Sequence, residues 1–222
     1  MTNRPINIIG LTQGQNIDVF IQLLDAIQTT NAMNFRNVGA VVSFADHFLK
    51  SKIVKSSRRD IQYIKEWEIF ETAKQRSATA TQIEALTGAF DSGAIWRSII
   101  GDRRLIYGKR SKNFQDYRVH YSDKMLYSIV VAFVESFTQM IERVKPDVVL
   151  GFTAVTFGEL LALNICKKMG IPTLQLHSSR IQNYFAFHNE LTGTSSHLTK
   201  FLDDNPEFLD EEIDRAAQVL SD

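Results

Sequence analysis

The sequence lacks most of the residues that announce a chemistry outright. Cys166 is its only cysteine, so no disulfide can form within the chain and no cysteine pair can hold a metal. There is no His-Glu-x-x-His pair and no Gly-x-Ser-x-Gly turn, so neither a metal centre nor a serine nucleophile is expected, and no cofactor. Charge of one sign is missing too. Lys+Arg and Asp+Glu number 25 each, which leaves no global field to recruit nucleic acid or an anionic membrane. No run approaches the roughly 18 consecutive apolar residues of a transmembrane helix. The opening MTNRPINIIG has none of the parts of a secretory signal. A cytoplasmic location is the expectation, either free or at the inner face of the membrane.

What is present suits a globule with a sizeable core: 44% of residues are hydrophobic and 23% charged. The densest pattern is Lys145 to Arg180. Asp147–Leu150 is short, apolar and β-branched. Phe157, Leu160, Leu161, Asn164, Ile165 and Lys168 then follow helical spacing, Gly170 sits at the helix C-cap, and Thr173–Leu176 is a second apolar run. A strand–helix–strand crossover of this length requires parallel strands with helices on their faces.

The N-terminal region repeats the arrangement. Ile6–Leu11 reads as a strand, and Ile17 to Thr29 as a helix with Asn16 as N-cap. Asn34–Asn37 reads as a turn, and Val38–Phe44 as the next strand. Farther on, the spacing predicts a helix over Arg58–Ala73, a weaker one over Thr79–Leu86 and a structured excursion over 92–120. A long helix follows over Ser122–Val144, with Ser122 as its cap. An acidic tail, 201–222, carries a helical stripe and is expected to lead into a second domain. The fold expected is α/β: a Rossmann-like, three-layer domain over 1–200 with a mainly parallel central sheet and a helical excursion at about 46–143.

In open parallel sheets ligands bind beyond the carboxyl ends of the strands, which selects the candidate residues. Gln13 and Gly14 follow the first strand. Glycine there lets backbone N–H groups approach an anion at a helix N-terminus, although a tight strand-to-helix turn accounts for it equally well. Thr153 follows the strand at 147. His177, Ser178 and Arg180 follow the strand at 173. An imidazole at a cleft edge can accept a proton near neutral pH, so His177 is a candidate general base. Its bland alternative is a histidine bonded to nearby backbone. His188 and His197 read as surface residues, and Glu159 as a helix-terminal carboxylate with a structural role. The basic, aromatic stretch from Trp96 to Arg118 could grip an anionic group through Arg103 or could be a solvated surface. Asp102 there could equally be an internal ion pair.

Together IWRSIIGDRRLIYG, the long helix from Ser122, and KPDVVLG with GIPTLQLHSSRIQNYF resemble the N-terminal half of bacterial surface or capsular polysaccharide biosynthesis proteins with a GT-B glycosyltransferase-like fold. That resemblance implies a glycan acceptor held by this half and a nucleotide-sugar held mainly by a second Rossmann-like domain. The strand-end reading is compatible with it: His177 or Asp46 would be the base if the enzyme inverts, and Gln13, Gly14, Thr153, Ser178, Arg180 and Arg103 the binding residues, with no metal. Two other readings share the layout: a non-catalytic α/β binding domain, and a nucleotide-sugar epimerase or hydrolase.

Overall fold

A computed structural model describes residues 4–30, 33–57, 59–90, 92–106, 121–178, 185–188, 200 and 203–204. The chain divides into two compact units, Met1–Thr173 and Leu174–Asp222.

The first unit is built on four strands: β1 (Ile6–Thr12), β2 (Phe35–Val42), β3 (Ile61–Lys65) and β4 (Val148–Gly151), in the order β3-β2-β1-β4. Every pairing among them is parallel. The alternation of a strand sorts the core to two sides. A Cβ on Gly10 would meet the Phe20 ring at 2.8 Å, so that face belongs to α1 (Asn16–Thr29). A Cβ on Gly39 would meet Met140 and Val144, so the other face belongs to the long helix α8 (Asp123–Val144). Ile17, Phe20, Ile21 and Leu24 of α1 fill the first side. The second holds Ile9, Leu11, Val41 and Val149 under Phe133, Phe137 and Met140.

Chain order explains the layers. From β1 the chain crosses through α1 to β2. It then passes through two short helices, α2 (Ala45–Lys50) and α3 (Lys52–Ser56), to β3. It returns over the other face through α4 (Glu66–Gln75), α5 (Ala80–Ala89), α6 (Ser92–Gly101), α7 (Arg103–Ile106) and α8, and enters β4 on the far side of β1. Helix α9 (Phe157–Met169) follows and ends at Gly170 with φ +67°, a left-handed C-cap. The second unit contains an antiparallel hairpin of β5 (Thr173–Ser178) and β6 (Phe185–His188).

Several boundaries depart from the sequence expectation. Ile61–Lys65 is a strand rather than the first turn of a helix over 58–73. Ile61 and Ile64 sit three apart, which puts them on one face of a helix but on opposite faces of a strand, and in β3 both are buried. Tyr63 packs edge-on against Phe48, with ring centroids 5.0 Å apart, and favours the extended form. β2 begins at Phe35, not after a turn at 34–37, because Phe35 pairs with Ile6 and Asn37 N–H donates to Asn7 Oδ1 at 3.2 Å. Asn16 lies inside α1; the N-cap position is Gln15, whose side chain makes no capping bond. β5 runs on to Ser178, so His177 is within a strand rather than after it. Of the acidic tail, only Asp203 and Asp204 are described.

Helix α8 is long and apolar enough, by length and composition, to cross a membrane. Here its apolar stripe is inside the protein: Ile129, Val130, Phe133, Phe137, Met140 and Val144 have no exposed surface.

Candidate functional site

A parallel sheet whose chain first winds one way and then reverses has a switch point, and the loops leaving the two strands there part toward opposite faces. In this chain the switch lies between β1 and β4. The β1–α1 loop (12–15) turns to one face and the β4–α9 loop (152–156) to the other. One hydrogen bond spans them, from Gln13 Nε2 to the Thr153 carbonyl at 2.9 Å. Gly14 forms the tight turn into α1 with φ +50° and has nothing within 4 Å of where a Cβ would stand. The N-cap position of α1, Gln15, makes no side-chain capping bond, although the Asp18 carboxylate lies in the first turn. Exposed Phe44 and Val155 stand on the neighbouring loops.

Beside this crevice, under the carboxyl ends of β2 and β3, lies a buried ionic network. Arg104 is at its centre and donates to both carboxylate oxygens of Asp102, to Glu66 Oε2 and, at 2.5 Å, to the Ser43 carbonyl. Its guanidinium also lies 5.0 Å from the Phe44 ring centroid and 5.5 Å from that of Phe70. Glu66 is fully buried at the first position of α4, immediately after β3. Burial pushes the Glu66 carboxyl up, while the charge of Arg104 pulls it back.

The α9 N-terminus is occupied by the protein itself. Asp102 Oδ2 accepts from Phe157 N–H at 2.9 Å, and Glu159 Oε2 accepts from the N–H groups of Val155 and Thr156 at 3.2 and 3.1 Å. Of the two helix N-termini flanking the switch, α9 is thus filled by carboxylates and only α1 is left for an outside group. Glu159 is fully buried, which pushes its carboxyl up to about 7, and its Oε1 has no hydrogen-bond partner among the described residues.

The hairpin of the second unit holds a different polar group. Gln175 and His188 are directly paired, His177 pairs with Ala186, and the His177 and His188 rings meet edge to face with centroids 5.1 Å apart. By strand alternation Gln175, His177 and His188 share one face. Both amide atoms of Gln175, His177 Nε2 and His188 Nδ1 are buried without a hydrogen-bond partner among the described residues. Burial, and then the nearby His188, hold the His177 imidazole below its usual value, so it is neutral at pH 7.

A cavity of about 570 Å³ opens at the other edge of the sheet, near Asp25, Phe35 and Arg59. Size alone would favour it. Chemistry does not, since Arg59 is already bound to Asp25 at 2.7 Å and lies over Phe35, and the position is at the amino ends of the strands.

The structure therefore brings Gln13, Gly14 and Thr153 together at the switch point. Asp46 is exposed in the first turn of α2, beyond β2. Arg103 is exposed on α7, and its neighbour Arg104 makes the central contacts. His177 and Ser178 belong to the second unit; Arg180 and His197 lie outside the described residues, as do Lys109, Arg110, Lys112 and Arg118. His188 is half-buried in β6, not on a surface loop, because strand pairing places it against Gln175. Among the described residues no cluster of three or more His, Cys, Asp or Glu could hold a metal. Sequence reasoning missed Glu66 and Arg104. No local signal in the sequence joined them, because they stand 38 residues apart. No protein-family model matches the chain, and no curated protein sequence matches it.

Proposed function

We propose that the chain is the acceptor-side domain of a glycosyltransferase-like protein of bacterial surface polysaccharide biosynthesis, working in the cytoplasm or at the inner face of the membrane. The observation that carries this reading is the switch point between β1 and β4, where the strand order places a ligand crevice. It is bridged by Gln13 and Thr153, entered at Gly14, and set beside an uncapped helix N-terminus. Such crevices are where doubly wound sheets receive ligands. The resemblance carried by IWRSIIGDRRLIYG and the Lys145–Phe185 segment supplies the substrate class.

In this reading the glycan acceptor binds here and the nucleotide-sugar is held mainly by a separate C-terminal domain. Glycosyl transfer needs a base to take the acceptor hydroxyl proton. The first candidate for that base is His177, a histidine held below its usual pKa. Exposed Asp46 is the second candidate. A binding domain without catalysis is the alternative, and the absence of a sharp catalytic motif favours it.

Calorimetry separates the two. The chain is expected to bind oligosaccharide acceptors and to bind nucleotide-sugars weakly or not at all. Tight nucleotide-sugar binding by this chain would refute the acceptor-side assignment. In the full-length protein His177→Ala is expected to lower kcat by about 10²–10⁴-fold with a smaller change in KM, since a proton acceptor acts chiefly in the transition state. A near-normal kcat would pass the role to Asp46, and no turnover with any donor would leave the binding domain.

A further inference from the structure

A buried line of hydrogen bonds joins two carboxyl groups beside the crevice. Glu66 Oε1 meets Ser43 Oγ at 2.9 Å, Ser43 Oγ meets Thr156 Oγ1 at 3.0 Å, and Thr156 Oγ1 meets Glu159 Oε2 at 2.9 Å. All four residues are 3% exposed or less. Each hydroxyl owns one proton. If both carboxyl groups are ionised, the three links share two protons, and one link must set lone pair against lone pair. With Ser43 donating to Glu66 and Thr156 donating to Glu159, the empty link is the Ser43–Thr156 contact, which is nevertheless as close as a hydrogen bond. A third proton on either carboxyl group fills all three links.

Charge points the same way. Among the described residues, α4 presents Glu66 to Glu159, and the α6–α7 segment presents Asp102 and Arg104. α8 presents the uncharged Phe133 beside Gly158. Arg104 is thus shared by Glu66 and Asp102, while Glu159 faces the like charge of Glu66; the Val155 and Thr156 N–H groups favour its carboxylate, and burial in a region of low dielectric opposes it.

We propose that Glu159 holds this third proton and shares it with Glu66 through Thr156 and Ser43, fastening the β2–α2 loop to the β4–α9 loop that lines the crevice. Burial raises Glu66 as well, but Arg104 donates to its Oε2 and opposes that rise, so in this proposal the resting direction of donation is Glu159 to Thr156 to Ser43 to Glu66. Moving each of the three protons one link reverses the direction and leaves the acid on Glu66. No other bond is made or broken. Glu159 is then a positioning residue for whatever the crevice receives, and in that respect the inference rests on the crevice reading above. The burial that pushes Glu159 up to about 7 is consistent with a proton retained near neutrality.

Infrared difference spectroscopy of the whole chain between about pH 5 and pH 9 reads the proton directly. The wild type should show a protonated-carboxyl C=O band that disappears through about pH 7. Glu159→Gln, whose amide N–H can donate to Thr156 Oγ1 in place of the acid, should lack that band and keep the wild-type fold. Backbone NMR signals of Gly14 and Thr153 should shift with the same midpoint in the wild type and stay flat in Glu159→Gln. No titrating band in the wild type overturns the proposal without any variant. A band that survives Glu159→Gln and vanishes in Glu66→Gln also overturns it, because the proton then belongs to Glu66. Glycan binding plays no part in these measurements, so failure of the functional reading and failure of the shared proton are told apart.

Discussion

Arg104 shows how much one side chain can fix. It is 14% exposed and joins Asp102, Glu66 and the Ser43 carbonyl, so it ties α7 to the ends of β2 and β3. Removing one partner of a buried pair leaves charge without compensation, at a cost of about 3–5 kcal/mol. Arg104→Met should lower stability to urea by roughly that amount, and Arg104→Lys should not restore it, because an ammonium cannot reproduce the planar fork. Gly158 is required by the same network. A Cβ there would stand 2.1 Å from Glu66 Oε1 and 2.7 Å from the Phe133 ring, so Gly158→Ala should cost on the order of 1–3 kcal/mol by overpacking. Glu159 adds a pH term of opposite sign to an ordinary ion-paired carboxylate. Its folded value, about 7, is above the usual 4.5, so the folded chain holds the proton more tightly than the unfolded one. The resulting stabilisation is complete below about pH 4.5 and is lost as pH rises through about 7. The urea midpoint should accordingly fall between pH 5 and pH 8, and fall less in Glu159→Gln.

At the scale of elements, the helices are closed by local devices of known strength. Thr79 caps α5 by accepting from Gln82 N–H at 3.2 Å while Gln82 Oε1 accepts from Thr79 N–H at 3.0 Å, a reciprocal pair. Ser122 Oγ accepts from Met125 N–H at the start of α8. Thr79→Ala and Ser122→Ala should each cost about 1 kcal/mol, measured as a shift in denaturation midpoint. The N-termini of α1, α2 and α4 have no such side-chain cap. The cap position of α1 is Gln15, with no side-chain bond, whereas α9 is filled by Asp102 and Glu159. A helix terminus left without a cap beside a crevice is a place where a ligand can supply the missing oxygen.

For the molecule as a whole, β1 is the element around which the rest is arranged. It has parallel partners on both sides, β2 and β4, and helices over both faces. Hydrogen exchange should therefore be slowest at Ile8–Leu11 and faster in β3, which pairs with β2 alone among the described strands of its unit. Phe137 has no exposed surface and stacks on Phe133 at 5.8 Å. Phe137→Ala should cost about 3–5 kcal/mol, and equal loss by circular dichroism and by fluorescence would mark one cooperative core.

The sequence by itself determined the α/β class, β1, α8, and the β4–α9 segment with its glycine stop. Each of these is written in local periodicity and capping, which need no distant partner to be legible. It also placed Gln13, Gly14 and Thr153 at strand ends, since a strand followed by a helix has only one carboxyl end. Only the tertiary structure decided the remainder. Whether Ile61 and Ile64 mark a helix or an edge strand depended on β2 offering its free side. Whether Arg103 or Arg104 mattered depended on Glu66, 38 residues away in sequence, being buried within its reach. Which helix N-terminus stayed open depended on Asp102 folding onto α9. Charges acquire their partners, their burial and their altered proton affinities from groups far along the chain. Periodicity carries no information about such pairings, because an ion pair in a low-dielectric interior is set by distance in space rather than by spacing in sequence.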